Sequence, residues 1–417
     1  MTERLLQFIW QYQYFNSSDL ITASGERLQI ITTGNFNRNQ GPDFSEAKII
    51  IDDTTWAGTI ELHLKTSDWL RHRHDKDPNY RNVILHVVWQ NDAQVNDIPI
   101  LELHDRVAKL LLRRYEHLMQ SNAFIPCEKT FPEMPEIILQ KWKETLLAER
   151  LLRKADITRA YLHQSNFHWE EVFWWMLARN FGITVNADAF EAVARSIPLS
   201  LLARQKNSIH HVEALLFGQG GLLESDFKDP YPILLKKEYQ FLQKKHGLQP
   251  VLISLHFLRM RPGNFPTIRL AQLAMLIHGS VHLFSRIRDT ENLDEVRELF
   301  FLTANDYWHY HYRFEEKSAF KKKTLGQGMI NNIIINTIVP LLFAYGSYHG
   351  EKKYQDKALA WLEMTRSESN SVIEGFTNLG LKCRSAFDTQ ALLELKTNYC
   401  EKRKCLTCAV GHFLLRE

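Results

Sequence analysis

Hydrophobic and polar residues alternate in short runs between about residues 26 and 105. Alternation with a period of two is typical of β-strands that bury one face. Five runs show it, each bounded by Gly, Asn, Asp or Pro: RLQIITT, AKIIID, WAGTIELHLK, NVILHVVWQ and PILELHD. Helical patterns flank these runs at residues 3–15 and 105–119. We therefore predict an α/β domain with a mixed sheet over residues 1–120.

The pattern changes after residues 121–135, a stretch with three prolines and no periodicity that predicts a linker. From residue 136 onward, apolar residues recur every three to four positions, as they do in amphipathic helices. No fixed repeat period is visible there. The sequence therefore predicts a larger all-α domain over residues 136–417.

Composition agrees with two packed domains, because 45% of the 417 residues are hydrophobic and 12% are aromatic. The net charge of +3 is too small for nucleic-acid binding by bulk charge alone. The first residues lack the features of a signal peptide, and the longest apolar run, at residues 334–346, is short and broken by Pro340. We expect a cytoplasmic protein with no membrane partner.

Candidate chemistry begins in the strand TIELHLK, whose alternation puts Glu61, His63 and Lys65 on one face. Asp43 comes directly before the preceding strand, and a hairpin through DDTTWAG would return Glu61 beside it. Two adjacent carboxylates repel each other unless a cation lies between them. The pair therefore predicts a divalent metal site, with Mg²⁺ or Mn²⁺ as the ion.

The following segment, SDWLRHRHDKDPNY, adds His72, His74 and Asp75 as further candidate metal ligands. Magnesium prefers the carboxylates, whereas imidazoles favour zinc or manganese. The alternative interpretation is a solvated charged loop with a helix cap at Asp68. His86 lies within the apolar run VILHVVW, where we expect a buried histidine and not a ligand.

Pro42-Asp43 followed by Glu61-x-His63 resembles the motif of the PD-(D/E)xK nuclease superfamily. The resemblance implies a core of a helix, three strands, a helix and a further strand. It also implies that Asp43 and Glu61 hold a magnesium ion, and that the residue two positions after Glu61 positions or deprotonates the attacking water. The superfamily usually has lysine there, whereas this chain has His63, with Lys65 one step further on the same face. Histidine can act as a general base near neutral pH.

Four of the five cysteines cluster near the C-terminus, as Cys383-x16-Cys400-x4-Cys405-x2-Cys408. Cys-x2-Cys brings two thiolates to one tetrahedral centre, and such clustering without a secretory signal indicates a metal before disulfides. Structural zinc and an iron–sulfur cluster both satisfy the spacing. The segment resembles the cysteine loop of some iron–sulfur nucleases and DNA glycosylases.

Two basic segments are candidates for contact with nucleic acid. Arg259, Arg261 and Arg269 flank a Pro-Gly-Asn turn that opens a helix, where guanidinium groups and backbone donors could meet an anion. Lys402 and Arg403 lie inside the cysteine segment and could approach a phosphate backbone. The alternative is that these charges form ordinary solvated faces.

Over its whole length the chain resembles a bacterial family known only as a domain of unknown function. Seven segments carry this resemblance: GPDF (41–44), IELH with SDW (60–69), HDKDPNY with LHVV (74–88), EALLFGQGGLL (213–223), MRPGNFPTIRLAQLA (260–274), NTIVPLLFAYG (336–346) and the cysteine tail.

That family supplies no activity, so function depends on the candidate site. A metal-dependent nuclease hydrolysing phosphodiester bonds of DNA or RNA is the first hypothesis. The alternatives are an inactive nucleic-acid-binding or scaffold protein and a metallohydrolase of a small substrate. The sequence leaves the oligomeric state open.

Overall fold

The computed structural model describes residues 1–37, 39–95, 98–258, 260–280 and 282–416. The chain divides into two compact units. Unit 1 comprises Met1–Trp142, Asn378–Gly380 and Leu395–Glu417, and unit 2 comprises Lys143–Thr377 and Leu381–Glu394. This division differs from the predicted one, because the C-terminal tail belongs to unit 1 and the boundary falls within a long helix at about residue 142. The linker predicted at 121–135 is part of unit 1.

Unit 1 is built on a mixed sheet in the order β1-β2-β4-β5-β6-β7, with β3 paired to β4. Its strands are β1 (Leu20–Ile21), β2 (Arg27–Thr32), β3 (Asn35–Phe36), β4 (Phe44–Ile51), β5 (Thr54–Lys65), β6 (Val83–Gln90) and β7 (Ile100–Glu102). The pairs from β1 to β5 are antiparallel, whereas β5-β6 and β6-β7 are parallel. The predicted mixed sheet is confirmed.

Burial follows the sequence pattern within the sheet. In β4, Phe44, Ala47, Ile49 and Ile51 are buried, while polar residues between them are more exposed. In contrast, β6 is buried from Val83 to Val88 without alternation. It has parallel neighbours on both sides, and strands of parallel sheets are typically covered on both faces. A strand of this kind shows little alternation.

Three helices belong wholly to the first part of unit 1: α1 (Glu3–Gln11), α2 (Asp68–Arg71) and α3 (Lys109–Gln120). Thr2 caps α1 by accepting a hydrogen bond from the backbone N–H of Leu5, and the buried side of α1 includes Phe8 and Trp10. This helix packs against β5. It ends at Gln11, earlier than the predicted residue 15, and α2 lies in the parallel crossover between β5 and β6.

Unit 2 is helical, as predicted, apart from the short hairpin of β8 (His311–Arg313) and β9 (Glu316–Lys317). The helix α4 (Glu136–Gln164) begins in unit 1 and continues into unit 2. The others are α5 (Trp169–Phe181), α6 (Ile183–Ser196), α7 (Leu199–Gln205), α8 (Ile209–Gln219), α9 (Pro230–His246), α10 (Pro266–Gly279), α11 (Leu283–Asp289), α12 (Leu293–Leu299), α13 (Gln327–Ile333), α14 (Val339–His349), α15 (Lys352–Met364), α16 (Ser371–Asn378) and α17 (Ala386–Glu394). The last helix, α18 (Ala409–Arg416), is part of unit 1.

One helical run, Gln327–His349, is long and apolar enough to cross a membrane by length and composition. It joins α13 to α14 through a π-helical stretch, Ile334–Ile338. Within its most apolar window, 72% is buried inside the protein. The run therefore has the burial of a core helix, in which apolar residues face other parts of the protein all round.

The core of unit 2 contains an acidic side chain, Glu213 on α8, which is fully buried. It accepts hydrogen bonds from the Trp308 indole, at 3.0 Å, and from the Tyr231 hydroxyl. Burial raises the pKa of Glu213 to about 7, and these bonds offset only part of that effect. The folded state therefore binds a proton that the unfolded chain has already lost near neutral pH.

We expect the stability of unit 2 to fall as pH rises through the folded pKa of Glu213. The protonated side chain makes its full contribution to the free energy of unfolding below the unfolded pKa. About 3 kcal/mol of this contribution is lost when the pH exceeds about 7. Thermal unfolding between about pH 5 and about pH 8 would show a declining midpoint for the wild type and a flatter profile for Glu213→Gln. Glu363→Gln, at an exposed position on α15, is the control. Parallel profiles for the wild type and Glu213→Gln would contradict the prediction.

Candidate metal centre

Asp43, the residue before β4, lies next to Glu61 in the middle of the antiparallel strand β5. Their register pairs Phe44 with Ile60, which brings the residue before β4 alongside the middle of β5. The backbone N–H of Asp43 donates to Oε2 of Glu61 at 3.0 Å, and the backbone N–H of Leu62 donates to Oδ2 of Asp43 at 3.1 Å. The hairpin therefore brings the two acidic residues together in the way that the strand pattern predicts.

The helix α1 adds two polar residues to this pair. Gln7 donates from its side-chain amide to Oδ1 of Asp43 at 2.7 Å, which fixes the carboxyl group from the other side. Glu3 lies one helical turn earlier, and its charge raises the pKa of both Asp43 and Glu61. Residues three and four apart share one face of a helix, so α1 presents Glu3 and Gln7 together.

Burial is the main cause of the electrostatic cost at this pair. Removal from water raises the pKa of Asp43 and of Glu61, and the charge of Asp43 raises the pKa of Glu61 further. Hydrogen bonds from backbone N–H groups to each carboxyl group act in the opposite direction. Two such groups favour a bound proton or a bound cation, since either removes the repulsion.

Four histidines adjoin Glu61. His63, two residues along β5, is 1% exposed, and its Nδ1 lies 2.9 Å from Nε2 of His86 on β6. Its Nε2 lies 3.2 Å from Nδ1 of His72, which follows α2. Burial, followed by the charges of the neighbouring histidines, lowers the pKa of His63 to about 2. His63 is therefore neutral at physiological pH.

His74 reaches the same carboxylate from the crossover segment. The preceding residue, Arg73, has a left-handed backbone with φ of 60°, which turns the chain after α2. The His74 ring stacks on Tyr80 with centroids 3.8 Å apart, and its Nε2 lies 3.6 Å from Oε1 of Glu61. This buried nitrogen has no hydrogen-bond partner, and burial lowers the pKa of His74.

These donors fit a metal ion. Ligand atoms of His63, His72 and His74 all lie within 4.8 Å of one another. Oε1 of Glu61 lies 3.5 Å from Nε2 of His63 and 3.6 Å from Nε2 of His74. A tetrahedral ion bound to nitrogen and oxygen at about 2.0–2.2 Å spaces its ligands by roughly 3.4 Å. Neutral imidazole is also the form of histidine that binds metals.

His86 has a supporting position in this arrangement. It is fully buried, packs against Trp69, and its pKa is lowered to about 4, mainly by burial. Metal-binding histidines usually use their second ring nitrogen in a hydrogen bond that fixes the ring. The contact between His63 and His86 can serve this purpose. His86 is buried, as the sequence predicts.

Two predicted site residues lie outside this buried cluster. The Lys65 side chain is 57% exposed at the end of β5, and its ammonium group lies 3.9 Å from Oδ2 of Asp92. Asp75 is exposed, and its charge offsets part of the lowering of the His74 pKa that burial causes. The low pKa of His63 makes it a weak base near neutral pH, and its role in positioning or deprotonating water stays a prediction.

The predicted nucleic-acid contacts have different environments. Arg259 lies outside the described residues, and Arg261 and Lys402 are exposed. Arg269 is buried, and its guanidinium group bonds to Gln272 and Asn264. The prediction for Arg269 is therefore wrong, because its charge is used inside the helical unit. Arg403 donates to the carbonyl oxygens of Leu118 and Ser121, so its main contacts are internal.

The predicted cysteine set is also divided. Cys400, Cys405 and Cys408 are buried in unit 1, whereas the half-buried Cys383 belongs to unit 2. The pKa of Cys383 is raised by burial and then by the charge of Asp388. The four cysteines of the predicted set are therefore divided between the two units.

Sequence reasoning missed the supporting residues Glu3, Gln7, Trp69 and Tyr80. Glu3 and Gln7 are four residues apart and therefore share one face of the first predicted helix. This spacing is the one feature of the sequence that could have indicated their place at the site. Trp69 and Tyr80 lie in the same histidine-rich segment, but the sequence does not show that their rings pack around His74.

One protein family, described as "Protein of unknown function (DUF2851)", matches residues 3–371. The chain belongs to this family. No curated protein and no solved structure matches it. The region that DUF2851 covers contains the whole carboxylate and histidine cluster, and it ends before the cysteines of the tail.

Proposed function

We propose that this DUF2851 protein is a divalent-metal-dependent nuclease that hydrolyses phosphodiester bonds of DNA or RNA. The observation that carries the proposal is the pair of Asp43 and Glu61, which backbone hydrogen bonds hold side by side next to three histidines whose ligand atoms lie within 4.8 Å of one another. The order of α1, the strands β2, β4 and β5, α2 and β6 follows the core that the PD-(D/E)xK resemblance implies. This order supports the proposal as a likeness of fold, and the chemistry is argued from the side chains.

In this proposal, Asp43 and Glu61 would supply the negative charge that holds an Mg²⁺ or Mn²⁺ ion, and the histidines would complete the ligand set. Such an ion would supply the Lewis-acid chemistry that activates water against a phosphodiester. Gln7 and the Leu62 backbone N–H keep Asp43 oriented. Tyr80 stacks on His74 and fixes its ring. These contacts preorganise the site before substrate arrives.

The surroundings of the site suit a phosphate backbone. The crossover segment carries exposed Arg71, Arg73 and Lys76 beside the two metal-competent histidines His72 and His74. Cationic side chains of this kind contact phosphate oxygens irrespective of base sequence. We therefore expect cleavage with little sequence preference, and weaker binding of substrate as salt concentration rises.

The three histidines favour one alternative, a metallohydrolase of a small substrate. Sites with three imidazoles or mixed imidazole and carboxylate ligands commonly hold zinc with an open position for water. Such an enzyme would hydrolyse a small phosphoester and leave polynucleotides intact. A protein that binds nucleic acid or acts as a scaffold without cleavage is the other alternative.

The test is an assay of metal-depleted full-length protein on single-stranded and double-stranded DNA and on RNA, with Mg²⁺, Mn²⁺ or Zn²⁺ added back. We expect cleavage that requires a divalent ion and is abolished in Asp43→Asn. Glu46→Gln, an exposed carboxyl group on β4, should cleave like the wild type. Binding without cleavage under every metal would overturn the proposal in favour of a scaffold. Hydrolysis of a small phosphoester alone would overturn it in favour of the metallohydrolase.

A further inference from the structure

Four cysteines belong to unit 1, and none of them takes part in the metal centre of the sheet. Cys127 follows α3 and begins a turn in which its carbonyl oxygen accepts from the backbone N–H of Phe131 at 2.8 Å. Cys400 ends a π-helical stretch that begins at Leu395. Cys405 and Cys408 bracket the short turn before α18. The first of these cysteines is far from the other three in sequence.

The tail is packed onto the segment that contains Cys127. Arg403 donates to the carbonyl oxygen of Leu118 at 3.3 Å and to that of Ser121, both at the end of α3. Cys405 is part of the same hydrophobic core as Leu118, and Cys127 packs against that core. These contacts bring the turn after α3 and the C-terminal turn into one place.

Hydrogen-bond donors surround the sulfur of Cys408. The backbone N–H groups of Val410 and Gly411, at the start of α18, donate to it and lower its pKa, although burial raises that pKa more. The indole N–H of Trp142 is buried and has no oxygen or nitrogen acceptor. This N–H group lies close enough to the sulfur of Cys408 to lower the pKa of that thiol as well. A side chain at position 411 would collide with the carbonyl oxygen of Cys405, which explains the glycine. Such donors stabilise a thiolate.

The thiols also act on one another. Burial, followed by the charges of Cys408 and Cys405, raises the pKa of Cys127 to about 12. The pKa of Cys400 is raised by burial and then by the other three. All four are free cysteines. Cys400, Cys405 and Cys408 are buried and Cys127 is half-buried. Four thiolates at this place would repel one another unless a metal centre neutralised them.

The spacing of the sulfurs favours a cluster over a single zinc ion. Among the described residues, the group whose ligand atoms all lie within 4.8 Å of one another is formed by histidines, so no three of these sulfurs lie that close. Zinc with sulfur at about 2.3 Å requires thiolates roughly 3.8 Å apart. In a four-iron cluster each thiolate binds a different iron, which spaces the sulfurs more widely.

We propose that Cys127, Cys400, Cys405 and Cys408 ligate one iron–sulfur cluster. Between Trp142 and Leu395 the chain belongs to unit 2 except at Asn378–Gly380, and the proposed ligands lie on both sides of this long segment. The cluster therefore fastens the returning tail to the turn that follows α3. Its part in the protein is structural, and it is independent of the proposed hydrolysis at Asp43 and Glu61.

The test is anaerobic purification of the full chain, followed by measurement of iron, acid-labile sulfide, zinc and visible absorption. We expect about four irons and four sulfides per chain, with a broad absorption band near 400 nm. Cys127→Ser should lose at least half of the iron and of the absorption, whereas the matched control Cys383→Ser should retain both. Asp43→Asn should also retain both, which separates this inference from the proposed function.

Alkylation of the wild type covers the case in which Cys127→Ser fails to fold. We expect iodoacetamide to label Cys383 in the native protein and to label the other four only after the cluster has been removed by oxidation and chelation. One zinc per chain with no iron or sulfide would overturn the cluster. Iron that is lost in Cys383→Ser but kept in Cys127→Ser, or equal labelling of Cys127 before and after iron removal, would overturn the ligand assignment.

Discussion

Replacing Glu61 by glutamine is expected to lower metal-dependent cleavage by about a thousandfold, since the several kcal/mol of charge stabilisation that an ion contributes would be lost. Oε1 of Glu61 lies 3.5 Å from a ring nitrogen of His63 and 3.6 Å from one of His74, so this carboxylate connects the acidic pair to the imidazoles. Glutamine retains the shape and can still accept the hydrogen bond from the Asp43 backbone N–H. The loss would therefore report charge and not packing.

The same substitution is expected to stabilise the metal-free protein above neutral pH. The folded pKa of Glu61 is raised, so its favourable contribution is present below the unfolded pKa of about 4 and is lost as pH rises through the folded value. Glutamine has no charge to bury and avoids this loss. We thus expect Glu61→Gln to be less active and more heat-stable than the wild type in the presence of a chelator.

Both effects can be measured on the same preparations, by cleavage rate with saturating Mn²⁺ and by unfolding midpoint in chelator at about pH 8. Glu46→Gln on β4 is the matched control, because its carboxyl group is exposed and should change neither quantity. A Glu61→Gln variant that keeps wild-type cleavage would remove Glu61 from the site. A variant that loses stability in chelator would show that the carboxylate is held by interactions stronger than its burial cost.

The local part of this site could be predicted from the sequence, because strand alternation and a hairpin follow from neighbouring residues. Alternation places Glu61 and His63 on one face, and the short turn at Asp52 returns β5 alongside β4. The segment containing His72 and His74 follows β5 directly, so its proximity to the sheet is also local. In each case few residues separate the partners, and the chain has little freedom to place them elsewhere.

Contacts between distant parts of the chain could not be predicted in this way. Gln7 meets Asp43 only because α1 packs across the sheet, and His86 meets His63 only because the parallel crossover sets the register between β5 and β6. The tail shows the same limit more strongly. Spacing alone groups Cys383 with the other C-terminal cysteines, whereas the fold places Cys127 in the same unit as Cys400, Cys405 and Cys408.

The chemical environment of a residue is equally invisible in the sequence. An arginine beside a turn suggests an anion site, yet Arg269 is buried and bonded within its own unit. A histidine in place of the usual lysine suggests a general base. His63 is buried among other imidazoles, however, and burial and their charges lower its pKa so that it stays neutral. A neutral histidine is better suited to ligation than to proton uptake. In our proposal His63 is therefore a metal ligand.

A bound ion is expected to stabilise the protein, by about 3–4 kcal/mol when its concentration is one hundred to one thousand times the dissociation constant. This corresponds to a rise of roughly 10 °C in the unfolding midpoint for a unit of this size. The rise should grow with pH, because Asp43 and Glu61 have raised pKa values and must release their protons before the ion can bind.

Thermal unfolding with Mn²⁺ and with chelator, between about pH 6 and about pH 9, measures this difference directly. The two curves should separate as pH rises, since the metal-free protein loses stability while the metal-bound protein does not. Asp43→Asn removes one of the two titrating groups and should shrink the separation, whereas His104→Gln, at an exposed position after β7, should leave it unchanged. A separation that is constant with pH would mean that the ion binds away from the carboxyl pair. In that case the histidines alone would form the metal site, and the basis for phosphodiester hydrolysis at Asp43 and Glu61 would be lost.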